Sequence, residues 1–144
     1  MKLNKAGIDL IKKFEGCKLT AYPDPATGGD PWTIGWGSTK GVKKGDVWTQ
    51  KQADDALATE CEEWCKGILK LVKAQLNDNQ FSALVSFVHN VGLGNFGKST
   101  MLKLINQNKL KEASEEFVKW NKAAGKVMAG LTKRRQAEKD LFIS

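Results

Sequence analysis

Residues 14–37 read FEGCKLTAYPDPATGGDPWTIGWG and mark a change from a helix to a small sheet. Residues 5–15 carry an apolar face at helical spacing, and Asn4 can cap their start. A glycine follows them, which places Glu15 at the C-terminal end of this first helix. Residues 20–48 hold all three prolines and six glycines, a composition that predicts short antiparallel strands joined by turns.

The rest of the chain has the spacing of amphipathic or buried helices. Thr49 precedes Gln52, and Asn77 precedes Gln80, and both pairs have the form of a capping box. The predicted helices cover residues 50–74, 79–91, 100–107, 110–121 and 131–142. The sequence therefore predicts a mainly helical α+β domain over 1–144. Its parts would be an N-terminal lobe over about 15–50, a linking helix over about 50–74, and a helical C-terminal lobe over about 76–144 packed with helix 4–15.

Composition narrows the class of protein. The chain has 144 residues, 41% of them hydrophobic, and a net charge of +7. A basic balance favours a polyanionic partner, which could be nucleic acid, an anionic membrane surface or a cell wall. Nucleic acid is disfavoured because no helix-turn-helix, RRM or zinc signature is present. Since no apolar run reaches the length of a membrane span, stable membrane insertion is not expected.

The cysteines and the single histidine offer little for metal binding. An odd number of cysteines (Cys17, Cys61 and Cys65) argues against a disulfide framework, and we interpret all three as free thiols. His89 cannot complete a zinc site alone, and its position on an apolar helix favours a core role. A GxGxxG pattern begins at Gly92 but follows a helix rather than a strand, so dinucleotide binding is not expected. No metal or cofactor is implied.

Glycoside hydrolysis requires two carboxyl groups in different surroundings, so that one stays protonated and the other is ionised. Glu15 lies at the negative end of a helix dipole, which disfavours its charged form, as a general acid needs. Asp24 lies in a Pro-flanked loop, where solvent favours the ionised form. From the residues alone, these could equally be two ordinary surface carboxylates. Asp30, three residues before Thr33, is an alternative second carboxylate.

The run FEGCKLTAYPD…WTIGWG resembles the N-terminal signature of the phage-type lysozymes, the T4-like and lambdoid endolysins of glycoside hydrolase family 24. SFVHNVGLGNFGKSTML (86–102) and GLTKRRQAEKDLF (130–142) resemble the later motifs of this family, in the same order. The resemblance covers nearly the whole chain. There are departures: the loop between Asp24 and Thr33 is longer than in T4-like sequences, and Ser38 stands where their pattern has His.

The resemblance implies roles for individual residues. Glu15 would be the general acid, and Asp24 and Thr33 would hold the attacking water, an arrangement that leads to inversion at the anomeric carbon. Arg134 would lie near Glu15, with Arg135 as the alternative. The predicted substrate contacts are Gly37, Trp36, Phe96, Ser99 and Arg134. Trp36 could equally pack in the core, and Trp64, on the apolar face of the long helix, is expected to be core.

The function implied is that of an endolysin, a muramidase that hydrolyses the β-1,4 bond between N-acetylmuramic acid and N-acetylglucosamine in bacterial peptidoglycan for host cell lysis. The alternatives are a lytic transglycosylase and a non-catalytic peptidoglycan-binding or virion protein. The N-terminus lacks the apolar segment of a signal peptide. We therefore expect a monomer made in the host cytoplasm that reaches the wall through a holin-like pore.

Overall fold

A computed structural model describes residues 1–25 and 27–144 of the chain. The fold is mainly helical, with a small antiparallel sheet in the N-terminal part as the sequence predicted and a second one that it did not predict. In chain order the elements are α1 (Lys5–Glu15), β1 (Lys18–Tyr22), β2 (Thr33–Gly35), α2 (Gln50–Leu71), α3 (Asp78–Val91), α4 (Leu93–Gly97), α5 (Thr100–Asn106), α6 (Leu110–Glu116), a 3-10 turn (Phe117–Lys119), β3 (Lys122–Ala123), β4 (Lys126–Val127) and α7 (Ala129–Ile143).

Side chains cap the helices where the sequence predicted. Asn4 Oδ1 accepts a hydrogen bond from the Gly7 amide at 3.2 Å and so begins α1. Both capping boxes form, at the start of α2 and of α3. Gly16 ends α1 with a φ of 65°, a left-handed conformation that favours glycine. The end of α1, and with it Glu15, is therefore fixed by local sequence.

The core is built around α3, whose residues 81–88 are all buried. α1, α2 and α7 pack against it. The contact with α1 is close, because a Cβ on Gly7 would lie 2.7 Å from Ser82 Cβ. Ser82 Oγ also accepts a hydrogen bond from the Asn4 amide at 2.9 Å. These contacts fix α1 on the core helix and so determine where Glu15 lies.

The first sheet is small and irregular. β1 pairs antiparallel with β2, with Lys18 opposite Gly35 and Tyr22 opposite Thr33. A reciprocal pair of backbone hydrogen bonds between Ile34 and Ser38, 2.8 and 2.9 Å long, closes a tight turn after β2. We call residues 34–38 the β2 turn. It carries Gly37 towards the end of α1.

Several predicted boundaries were wrong. α2 ends at Leu71 rather than residue 74, because Val72 adopts an extended conformation. The helix predicted over 110–121 ends at Glu116 and passes into the 3-10 turn. Two elements were not predicted, the short helix α4 and the β3–β4 hairpin.

All three cysteines are free thiols. Cys61 is buried in the core, and burial raises the pKa of its thiol to about 12. Burial also raises the pKa of Cys65. A thiol is nucleophilic only as the thiolate, so these two groups act as apolar packing residues. In the part of the chain that the structure describes, no helix is long and apolar enough to cross a membrane.

Candidate active site

Glu15 lies at the mouth of a cleft of about 560 Å³ between the β1–β2 region and the C-terminal ends of α1 and α3. Its carboxyl group is mostly buried, with 17% of the side chain exposed. Arg134 Nη1 donates a hydrogen bond to Glu15 Oε2 at 2.8 Å. The guanidinium therefore fixes the position of the carboxyl and can balance its charge.

The β2 turn covers the other side of this carboxyl group. Gly37 has a φ of 93°, and a Cβ built there would lie 2.7 Å from Glu15 Cδ and 2.8 Å from Oε1. Only a glycine allows the backbone to pass so close to the carboxyl. The structure thus places Gly37 against Glu15 as a steric boundary.

Asp24 and Thr33 line the same cleft as Glu15. Asp24 follows β1, and its backbone carbonyl accepts hydrogen bonds from two later amides of the loop, including that of Gly28 at 2.7 Å. Tyr22 lies opposite Thr33 in the sheet, and burial and the charge of Glu15 raise its pKa although a hydrogen bond with Thr33 opposes that effect. The three predicted catalytic side chains therefore share one cavity wall.

The cleft continues past Glu15 into a second pocket of about 680 Å³. Glu15, Asp24, Pro25 and Asn90 line both pockets. The wall of the second pocket is largely apolar and is formed by the β3–β4 hairpin and the start of α7, including Val127. Glu15 and Asp24 thus lie where the two pockets meet, and a long ligand could pass across them.

Arg134 belongs to a buried network of charges. Its Nε donates to Glu138 Oε2 at 3.2 Å, and its Nη2 donates to the Ser86 carbonyl at 3.0 Å. Ser86 Oγ donates to the same carboxylate oxygen at 2.6 Å. Arg135 Nε lies 2.7 Å from Glu138 Oε1, so the two groups form an ion pair. The two atoms are not aligned for a hydrogen bond with each other. Sequence reasoning missed Glu138, which is fully buried between two arginines.

The two arginines have different surroundings. Arg134 reaches Glu15, as the resemblance implied. Arg135 instead lies over the Phe87 ring at 5.0 Å, and Arg135 Nη1 donates to the Trp120 carbonyl at 3.4 Å. Burial lowers the pKa of Arg135, although the neighbouring Glu138 opposes that effect.

Three predicted substrate contacts do not line either pocket at the site. The Trp36 indole donates to Asp54 Oδ1 at 2.8 Å, and Lys12 Nζ lies 5.2 Å from its ring centroid. Phe96 is fully buried and packs edge-to-face on Phe87. Ser99 is also buried, because its Oγ caps α5 and donates to the Phe96 carbonyl at 2.7 Å. The structure gives all three a packing or capping role.

The structure also places Trp64 and Asp30. Trp64 packs against the core, as expected, but it also lines the cleft and donates its indole N–H to His89 Nδ1 at 3.0 Å. Asp30, the alternative second carboxylate, is exposed and absent from the walls of both pockets. Among the residues that the structure describes, no three His, Cys, Asp or Glu side chains are grouped to hold a metal.

The sequence profile of the family described as phage lysozyme matches residues 12–138. The chain belongs to the phage lysozyme family. The lysozyme-like fold that the sequence predicted is therefore confirmed, and the family is the one from which the sequence predicted a glycoside hydrolase. The matched range contains Glu15, Asp24, Thr33 and Arg134.

Named relatives agree with this family. The chain is 43% identical over 145 residues to the endolysin of Bacillus phage PZA, covering 100% of this chain but 56% of that endolysin. It is 41% identical over 148 residues to the endolysin of Acyrthosiphon pisum secondary endosymbiont phage 1, covering 100% of this chain and 99% of that one. The muramidase domain of SpmX from Asticaccaulis excentricus superposes with a TM-score of 0.87 at 36% identity, covering 99% of this chain and 98% of that domain.

This family member departs from the T4-like pattern at Ser38, and the structure shows what the serine does. Ser38 Oγ donates to Glu60 Oε2 at 3.0 Å. Glu60 extends from α2 into the cleft wall and is half-buried. Burial raises the pKa of Glu60. The Ser38 hydrogen bond opposes this effect, and the nearby carboxylates of Glu63 and Glu15 reinforce it.

Glu60→Gln is expected to raise the free energy of unfolding at pH 7 by less than about 1 kcal/mol, since solvent screens a half-buried charge. A carboxyl whose pKa is raised in the folded state destabilises the fold above that pKa. The destabilisation caused by the Glu60 carboxylate disappears as the pH falls below the pKa that Glu60 has in the unfolded chain. Urea unfolding at pH 7 and pH 4 checks this, and the gain should be present only at pH 7.

Ser38→Ala is the matched control, because it removes the hydrogen bond that favours the charged form of Glu60. It should lower stability at pH 7 more than at pH 4. Equal changes at both pH values in the two variants would show that the charge of Glu60 is not the cause.

Proposed function

We propose that the chain hydrolyses the β-1,4 bond between N-acetylmuramic acid and N-acetylglucosamine in bacterial peptidoglycan, as an endolysin that lyses a bacterial host. The observation that carries the proposal is the position of Glu15. Its carboxyl group is fixed between Arg134 and Gly37, at the point where two pockets meet. A glycan chain lying through both pockets would bring one glycosidic bond to this group.

Glu15 would act as the general acid. It would give its proton to the glycosidic oxygen as the bond to the anomeric carbon breaks, and the leaving sugar would depart with a new hydroxyl group. The carboxylate left on Glu15 would then be stabilised by the Arg134 hydrogen bond, which is already in place. Because this donor need not reorganise, it favours the charge that develops in the reaction.

Asp24 and Thr33 would hold the water that attacks the opposite face of the sugar. Asp24 would accept one water proton while the water oxygen forms the new bond to the anomeric carbon, and the configuration there would invert. Both residues line the cleft that Glu15 enters, and Asp30 does not. Asp24 is therefore the second carboxylate of this proposal.

The proposal is tested by digesting purified peptidoglycan with wild type and Glu15→Gln and identifying the products by mass spectrometry. Wild type should give reducing muropeptides, and the variant should lose nearly all activity because an amide has no proton to give. Asp9→Asn is the matched control, an exposed carboxylate on the same helix that pairs with Lys5 at 2.8 Å. It should retain wild-type activity.

Other outcomes would overturn the proposal in distinct ways. Anhydro-muropeptides from wild type would indicate a lytic transglycosylase, and binding without products would indicate a non-catalytic peptidoglycan-binding or virion protein. The anomeric configuration of fresh product, measured by NMR, separates inversion from retention.

The cellular setting belongs to the same proposal. Membership of the phage lysozyme family and similarity to endolysins support peptidoglycan as the partner. Dependence on a holin-like pore, a monomeric state and synthesis in the host cytoplasm stay predictions.

A further inference from the structure

His89 links three separate elements of the fold. The residue lies near the C-terminal end of α3, and only 2% of its side chain is exposed. Its Nδ1 accepts a hydrogen bond from Trp64 Nε1 on α2 at 3.0 Å. Its Nε2 lies 2.8 Å from the backbone carbonyl oxygen of Trp36 in the β2 turn. The imidazole therefore connects the sheet region to both central helices.

These two partners allow only one form of the ring. An indole N–H can only donate, so Nδ1 must offer a lone pair to Trp64. A backbone carbonyl can only accept, so Nε2 must carry the hydrogen that points to Trp36. The neutral imidazole with hydrogen on Nε2 satisfies both contacts. A second proton on Nδ1 would face the Trp64 N–H and break that bond.

The link reaches Glu15 through the β2 turn. The Trp36 carbonyl belongs to the peptide unit that leads into Gly37, whose Cα lies against the Glu15 carboxyl group. The base of the turn is closed by the Ile34 and Ser38 backbone pair, while His89 holds its tip. Among the described residues, no other hydrogen bond joins this turn to α3, although the Trp36 and Ser38 side chains bond to α2.

His89 does not hold the carboxyl group directly. Its Nε2 lies 3.8 Å from Glu15 Oε2, beyond hydrogen-bond distance, whereas Arg134 Nη1 lies at 2.8 Å. The hydrogen of Nε2 is directed to the Trp36 carbonyl. Any influence of His89 on the acid must therefore act through the backbone at Gly37.

We propose that His89 is a positioning residue, which holds the β2 turn against Glu15 through its neutral Nε2–H tautomer. This inference rests on the proposed role of Glu15 as the acid. Arg134 fixes one side of the carboxyl group, and the turn that His89 holds restricts the other. Loss of the link lets the turn retreat, so that Glu15 samples orientations in which its proton misses the glycosidic oxygen.

Two variants separate positioning from simple packing. His89→Phe keeps a planar ring of similar volume but loses both hydrogen bonds. His89→Gln keeps both, because its amide oxygen can accept from Trp64 while its amide N–H donates to Trp36. We expect His89→Phe to lower kcat at least about tenfold with KM nearly unchanged, since small misplacements of a catalytic group are costly. His89→Gln should restore most of the kcat.

¹⁵N NMR of the His89 imidazole determines the tautomer without relying on the kinetics of the variants. His89 is the only histidine of the chain, so its two ring nitrogens give the only imidazole signals. We expect Nε2 protonated and Nδ1 unprotonated at neutral pH. A predominant Nδ1–H form, or rapid exchange between tautomers, would overturn the proposal even if His89→Phe failed to fold.

The kinetic results distinguish failure of the proposed muramidase function from failure of the positioning role of His89. If wild type gives no muropeptides, the proposed function fails whatever the NMR shows. If wild type is active and His89→Phe has its full kcat, the positioning role is wrong while the muramidase function stands. A kcat equally reduced in His89→Phe and His89→Gln would also overturn it, because the hydrogen bonds would then not matter.

Discussion

Glu138→Gln is expected to lower the free energy of unfolding by about 3–5 kcal/mol, the usual cost of removing one partner from a buried ion pair. Glu138 is fully buried, and its carboxylate lies between Arg134 and Arg135. The amide keeps the size of the side chain but removes its charge. Arg135 would then lie in the interior without a counter-ion, and Arg134 would keep only Glu15. The melting temperature should fall by on the order of 10 °C.

Activity should fall in the same variant, at temperatures where it remains folded. The amide would offer one uncharged oxygen to Arg134 Nε, and its NH2 group would face a guanidinium group that it cannot bond, so Arg134 would be held less firmly beside Glu15. Glu62→Gln is the matched control, an exposed carboxylate on α2, and should change stability by less than about 0.5 kcal/mol. Urea unfolding followed by circular dichroism compares the two variants.

A double variant tests whether the unpaired charge causes the loss of stability in Glu138→Gln. Arg135→Met combined with Glu138→Leu removes one positive and one negative charge together, and apolar replacements of buried pairs are often tolerated. The double variant should therefore be more stable than Glu138→Gln. If Glu138→Gln itself costs less than about 1 kcal/mol, the buried network contributes little and the electrostatic account is wrong.

The local parts of the fold were predictable because short-range chemistry determines them. Asn4, Thr49 and Asn77 each cap the helix that follows, as their side chains and positions indicated. The β3–β4 hairpin was missed because strands of two residues have no periodicity to detect. It nevertheless forms a wall of the second pocket.

The site was predictable only in part, for a similar reason. Glu15, Asp24 and Thr33 lie within one short stretch, and the resemblance of that stretch to the phage-type lysozymes indicated them. The network around Glu138 joins Ser86 to α7 across 52 residues, and no local pattern indicates such a contact. His89 was expected in the core, and it is buried. Sequence alone did not indicate its hydrogen bonds to Trp64 and to the Trp36 carbonyl, which join distant parts of the chain. Conversely, Phe96 belongs to a matching motif and yet packs entirely inside the molecule.

Gly37→Ala is expected to lower kcat by about 100-fold, because a displacement of about 1 Å at a catalytic group can cost that much. The new Cβ would lie 2.7 Å from Glu15 Cδ and 3.0 Å from Oε2, closer than non-bonded carbon and oxygen atoms approach. The Gly37 backbone cannot move away without breaking the His89 link to the β2 turn. The carboxyl group must therefore rotate away from its position beside Arg134. Steady-state hydrolysis of peptidoglycan measures the loss.

Gly45→Ala separates this steric effect from backbone strain. Gly45 has nearly the same φ as Gly37, 91° against 93°, but a Cβ there meets no atom within 4 Å. Both variants should therefore lose a similar amount of stability, about 1–2 kcal/mol for a left-handed alanine. Only Gly37→Ala should lose activity. Equal activity in the two variants would mean that Glu15 tolerates a shift of its carboxyl group, and the β2 turn would then not determine where the acid points.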